Sequence, residues 1–120
     1  MSIRVGINGF GRIGRNFYRA AAAVGADVDL VAVNDLTSPE INAHLLRYDS
    51  THGRLDREVT VGDGEIRVGD DRFQVFAERD PKALPWGELG ADVVVESTGI
   101  FVSAEQAQWH IDGGAKKVII

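Results

Sequence analysis

Apolar positions along this chain follow two alternating rhythms. Ile3, Val5 and Ile7 lead off, and later come the compact runs at residues 27–33 (DVDLVAV), 92–96 (DVVVE) and 116–120 (KKVII). Runs with so little polar alternation suit parallel strands covered on both faces. Between the first two runs, Ile13, Phe17, Tyr18, Ala21 and Val24 recur at three- and four-residue spacing, the period of a helix. Strands alternating with helices predict an α/β fold built on a doubly wound parallel sheet.

The punctuation refines this reading. Gly25 suits the left-handed end of the first helix. Ser38, Pro39 and Glu40 form a helix start of N-cap, N1 proline and acidic first turn. That second helix carries Ile41, His44, Leu45 and Tyr48 on one side, and residues 49–55 read as a loop. From Glu58 to Phe76 the pattern changes to strict alternation, with Asp63-Gly64 and Gly69-Asp70-Asp71 as turns, which predicts an antiparallel hairpin insertion. Its last arm, 72–77, is expected to serve as the third parallel strand. Pro81, Pro85 and Gly87 allow at most a turn of helix around Trp86. Ser103 with Gln106 three residues on resembles a capping box, opening a helix that ends near Asp112 before Gly113-Gly114. The inferred strand order is 3-2-1-4-5. Residues 1–120 therefore read as one domain whose sixth strand is missing, and we expect the chain to be a fragment.

Composition narrows the function classes. The chain has 13 basic and 18 acidic residues, a net charge of −5, which argues against nonspecific nucleic-acid or anionic-membrane binding. No apolar run approaches the ~20 residues that span a bilayer. Ser2-Ile3-Arg4 leads directly into a strand and leaves no room for a signal peptide, so the cytoplasm is the default location. There is no cysteine, which excludes disulfides, thiolate metal sites and a cysteine nucleophile within these 120 residues. His52 has no partner at metal-ligand spacing, and neither His44, His110 nor Trp109 is assigned chemistry.

The candidate chemistry sits in the first strand–helix connection, where Gly9-Phe10-Gly11-Arg12-Ile13-Gly14 matches GxGxxG in a strand–turn–helix context. Gly9 would make the tight turn, Gly11 would let a pyrophosphate approach the backbone, and Gly14 would let helix and strand pack closely. Unpaired N–H groups and the helix dipole favour an anion there. A glycine-rich turn that binds nothing is the competing reading. A triphosphate P-loop is set aside, because Arg15 and Asn16 occupy the positions of its Lys and Ser/Thr.

Asp35 lies 21 residues beyond Gly14 and closes the second strand. This is where a dinucleotide fold places the acid that accepts hydrogen bonds from the adenosine ribose. Such an acid would repel a 2′-phosphate, and Leu36, Thr37 and Ser38 supply no offsetting arginine, so NAD is expected over NADP. Arg79 leaves the carboxyl end of a strand on the same edge, either beside the adenosine or paired with Glu78 or Asp80. Thr98 and Gly99 follow the fourth strand, where a threonine hydroxyl could donate and glycine would allow close approach.

Six segments in order, INGFGRIGR from Ile7, AVND from Ala32, LLRYDSTHG from Leu45, FAERDP from Phe76, PWGELGADVVVESTGIF from Pro85 and GGAKKVII from Gly113, resemble the amino-terminal half of phosphorylating glyceraldehyde-3-phosphate dehydrogenases across the whole chain. The resemblance implies an NAD-binding Rossmann domain of a homotetrameric glycolytic oxidoreductase acting on a phosphorylated aldehyde. It implies that the backbones of Gly11, Arg12 and Ile13 contact the pyrophosphate, that Asp35 holds the ribose, and that Arg79 lies near the adenine. Thr98, Gly99 and Phe101 would border the cofactor. The family's nucleophilic cysteine and its histidine base belong to a carboxyl-terminal portion, so no residue of this chain is assigned catalysis. Erythrose-4-phosphate dehydrogenase looks similar over this region, and a free-standing, non-catalytic NAD-binding module is the reading from another class.

Overall fold

The structure is a computed structural model that describes residues 3–23, 27–49, 53–54, 58–69, 71–99 and 103–120. Strand β1 (Ile3–Asn8) runs into helix α1 (Arg12–Ala23), followed by β2 (Val28–Asn34) and α2 (Pro39–Arg47). Two short strands, β3 (Tyr48–Asp49) and β4 (Gly53–Arg54), pair antiparallel where a loop was expected. Then come β5 (Val59–Gly62), β6 (Glu65–Val68) and β7 (Asp71–Phe76), a 3-10 turn at Pro81–Ala83, and α3 (Trp86–Leu89). Strand β8 (Val93–Glu96), helix α4 (Ala104–Asp112) and β9 (Lys117–Ile119) complete the described fold.

The main sheet has seven strands in the order β5-β6-β7-β2-β1-β8-β9. Its last five, β7-β2-β1-β8-β9, are parallel and reproduce the 3-2-1-4-5 order expected from the sequence. The meander β5-β6-β7 is antiparallel, and its final arm pairs with β2 as the third parallel strand. Gly64 and Gly69 take positive φ at the two meander turns.

Strand residues feed two separate cores, and a register shift opposite Val5 and Gly6, where β2 carries one extra residue between Leu30 and Ala32, lets Leu30 and Val33 share a face. On one face, Ile7, Leu30, Val33 and Val95 pack with Tyr18 of α1, Leu46 of α2 and the meander residues Val59, Ile66 and Phe73. On the other, Ala32 and Val94 pack with Leu84, Trp86, Ala91 and Ala115. The cap of α2 is as expected, with the Ser38 hydroxyl accepting from Ile41 N–H, and Ser103 with Gln106 forms a complete capping box.

Two helix faces differ from the sequence pattern. Ile13 is 69% exposed, so the buried side of α1 runs through Gly14 and Tyr18 with Phe17 partly covered. In α2 the side carrying Ile41, His44 and Tyr48 points outward, and Asn42, Ala43 and Leu46 are buried instead. The small Ala43 and the amide of Asn42, which donates to Thr37 O, let the helix lie close to the sheet. Val24, Gly25, His52 and Phe101 lie outside the described residues.

Candidate cofactor site

The parallel strands reverse direction of addition at β1. From there the chain adds β2 and β7 on one side, then β8 and β9 on the other. Ligands of doubly wound sheets bind at the carboxyl ends of the strands at this switch point. A cleft of about 430 Å³ opens there, lined by Asn8, Gly9, Gly11, Asn34, Asp35, Leu36, Glu78, Arg79, Ser97 and Thr98. Its volume is within the range of small-ligand sites, roughly 300–1,000 Å³.

The three glycines of the turn have three different surroundings. Gly9 has φ +95°, and a Cβ there would stand 2.8 Å from the backbone nitrogen of Thr98. Around Gly11 a Cβ would meet nothing within 4 Å, so this backbone faces open space at the cleft. Gly14 is buried beneath the turn. The turn is bolted to the loop after β8 by the Ser97 hydroxyl, which donates to Gly9 O at 2.6 Å. Arg12 and Ile13 are exposed on the first turn of α1, beside the cleft and not within its lining.

Asp35 faces the glycine turn. Its Oδ2 accepts from Phe10 N–H at 2.8 Å and its Oδ1 from Thr37 N–H at 2.8 Å. Each oxygen keeps a second acceptor direction, the capacity a ribose diol would use. Arg79 is exposed in the cleft lining, and among the described residues no ion pair joins it to Glu78 or Asp80. Those carboxylates instead accept from Asp80 N–H and Lys82 N–H in the turn.

The cleft floor is a polar belt that sequence reading missed. Glu96, Asn8 and Asn34 end β8, β1 and β2 and stand opposite one another in register. Asn8 donates to Glu96 Oε1 at 2.8 Å, and Asn34 donates to Asn8 Oδ1 at 2.8 Å. Asn34 also grips the backbone of Glu78, accepting from its N–H and donating to its carbonyl. The available signal was a repeated one: three apolar strands, VGIN, VAVN and VVVE, each end on a polar residue.

Thr98 departs from expectation. Its hydroxyl donates to Glu96 Oε2 at 2.7 Å and its N–H to the same oxygen at 3.1 Å. The single hydroxyl proton is thereby engaged by the Glu96 carboxylate, where the sequence suggested donation to a ligand. Gly99 is exposed beside it, with φ +77° and open space where a side chain would stand.

Glu96 is 4% exposed. Burial pushes its carboxyl up, but hydrogen bonds from His110, Asn8 and Thr98 outweigh this and hold it below the usual range. His110, fully buried, contributes Nε2–H to Oε1 at 2.7 Å. The Trp86 indole donates to His110 Nδ1 at 3.0 Å. An indole N–H can only donate, so Nδ1 is the acceptor and the proton is assigned to Nε2.

A glycine turn opening on a cleft, a helix N-terminus beside it and an acid at the next strand tip define a dinucleotide-binding domain of the Rossmann type. The comparisons give the particular family. The family model described as "Glyceraldehyde 3-phosphate dehydrogenase, NAD binding domain" matches residues 3–104. The chain belongs to this family, whose cofactor is NAD. It is 65% identical over its full 120 residues to "Glyceraldehyde-3-phosphate dehydrogenase 1" of Streptomyces avermitilis, covering 36% of that protein. It is 58% identical to "Glyceraldehyde-3-phosphate dehydrogenase" of Geobacillus stearothermophilus, again over all of this chain and 36% of the relative. The chain thus spans about a third of the length of the curated relatives it matches. Among the described residues no helix is long and apolar enough to cross a membrane, and no cluster of three or more His, Cys, Asp or Glu residues could hold a metal ion.

Proposed function

We propose that this chain is the NAD-holding part of an enzyme that oxidises glyceraldehyde 3-phosphate, with NAD and phosphate, to 1,3-bisphosphoglycerate. Residues 1–120 act as one cofactor-binding domain. Gly9, Gly11 and Gly14 shape the pyrophosphate seat, and the backbones at Gly11, Arg12 and Ile13 face the phosphates. Asp35 receives the adenosine ribose, Arg79 flanks the adenine, and Thr98 and Gly99 lie beside the cofactor. NAD supplies the hydride acceptor, and this chain binds and orients it. The reacting cysteine and base would come from sequence outside these residues. The working form is a cytoplasmic homotetramer, in keeping with the resemblance.

The observation that carries this reading is the Asp35 carboxylate, hydrogen-bonded to Phe10 N–H at the edge of a cleft that also contains the bare backbone of Gly11. A carboxylate is also a poor neighbour for a 2′-phosphate, which favours NAD over NADP. Calorimetric titration of the full-length protein with NAD and NADP tests it. NAD is expected to bind more tightly. Equal affinity for the two cofactors, or no NAD binding, would refute the reading.

A further inference from the structure

His110 was assigned nothing in the sequence, yet it is fully buried and both ring nitrogens are engaged. On one side it takes the Trp86 indole N–H, and on the other it donates to Glu96. Glu96 collects four hydrogen bonds in all: Asn8 and His110 on Oε1, and the Thr98 amide and hydroxyl on Oε2. The carboxylate thus holds the loop after β8 in place. Through Asn8 and Asn34 it also reaches the backbone of Glu78, next to Arg79 on the far wall of the cleft.

We propose that His110 and Glu96 are positioning residues for the cofactor cleft. His110 orients the carboxylate from behind, and the carboxylate sets Thr98 on one wall and the Asn8–Asn34 pair along the floor. Among the described residues no hydrogen bond joins the His110 ring to a lining residue, so its hydrogen-bonded influence on the cleft passes through Glu96. The wiring demands one donor and one acceptor at fixed separation on residue 110. Imidazole with its proton on Nε2 meets that demand, and so does a glutamine amide. A phenylalanine would fill the same space and leave the carboxylate one donor short, at a buried position where each lost donor is costly.

This inference rests on the cleft being the NAD site. The test measures NAD affinity of the full-length protein by calorimetry in five forms: wild type, Asp35→Ala, His110→Phe, His110→Gln and Val68→Ala. Val68 is a fully buried residue of β6 outside the belt, so its variant controls for simple loss of stability. His110→Phe should weaken NAD binding about tenfold, His110→Gln should recover most of the loss, and Val68→Ala should bind as wild type. Wild-type affinity in folded His110→Phe would overturn the proposal. An equal loss in Val68→Ala would do the same. If Asp35→Ala weakens binding while His110→Phe does not, this inference falls and the site assignment stands; no binding by wild type removes both. Should His110→Phe fail to fold, the Trp86 indole N–H resonance of the wild type decides. It is assigned by its loss in Trp86→Phe. It should move when NAD is added, because the indole is wired to the cleft through His110 and Glu96. A resonance that stays in place at saturating NAD would refute the proposal.

Discussion

A Cβ on Gly14 would stand 2.5 Å from the carbonyl oxygen of Gly9. The first turn of α1 therefore lies directly against the turn that leaves β1, and only a hydrogen at position 14 leaves room. Ile7 Cγ2 at 3.0 Å and Ser97 Oγ at 3.2 Å close the remaining sides. Gly14→Ala must push a backbone group, since no flexible side-chain end is there to yield. Such overpacking costs about 1–3 kcal/mol. We predict that Gly14→Ala lowers the urea midpoint by a corresponding amount and weakens NAD binding as the turn shifts. An unchanged midpoint would mean that the helix and the turn are not packed as described.

Gly11 behaves in the opposite way. Its φ is not in the left-handed region and a Cβ there meets nothing within 4 Å. The fold should accept alanine with a change within about 1 kcal/mol, where the entropic gain and the helix-start preference largely cancel. The methyl would occupy the space through which a pyrophosphate reaches the N–H groups. Gly11→Ala is expected to melt close to wild type and to bind NAD at least about tenfold more weakly. The two alanine variants together separate a glycine kept for packing from one kept for a ligand.

Much of this arrangement is legible in the sequence. The runs around Val31 and Val33, and around Val94, have the near-continuous apolar character of buried parallel strands, and Asp63-Gly64 marks a hairpin turn that the fold contains. The strand order followed from these elements and the glycine turn. Helix phase was harder to read. Ile13 and Ile41 fit a helical period by residue type, but the buried side is decided by closeness to the sheet, which small residues such as Gly14 and Ala43 permit. The pairing of Glu96 with His110 was invisible, because 14 residues and a strand-to-helix connection separate the two and only the packing of α4 beside β8 brings them together. Thr98 shows the same limit, since its residue type states that a hydroxyl exists but not where its proton goes.

Asp35 has a structural task as well as its proposed ligand, and the two can be measured separately. Removing the carboxylate in Asp35→Ala leaves Phe10 N–H and Thr37 N–H without their present acceptor. An unsatisfied group costs about 1–3 kcal/mol when buried, and less where water can reach, as at this partly buried site. NAD binding should weaken by about 1.5–3 kcal/mol, the value of a hydrogen bond to a charged acceptor, while NADP binding suffers less because a negative charge has gone. Calorimetry with both cofactors gives the second effect and thermal unfolding gives the first. A variant that loses stability yet keeps its NAD affinity would confine Asp35 to the turn.

The acid side of the stability profile tests Glu96. Its carboxyl is pulled in two directions, up by burial and down by the donors from His110, Asn8 and Thr98, and the donors prevail. A carboxyl with a folded pKa below its unfolded value stabilises the fold above the unfolded value, near the ordinary 4.5, and loses that contribution as the pH falls through the lower folded value. Glu96→Gln carries no titrating group there, so it lacks this slope. At pH 7 the variant should be less stable than wild type, because one amide cannot accept all four hydrogen bonds that Glu96 receives. Below pH 4.5 the wild type must give up the difference and the two urea midpoints should converge. Midpoints measured at intervals from pH 7 to about pH 3 follow this directly. A gap of constant size across the range would mean that the carboxyl titrates alike in both states, and that the belt holds it no better than water does.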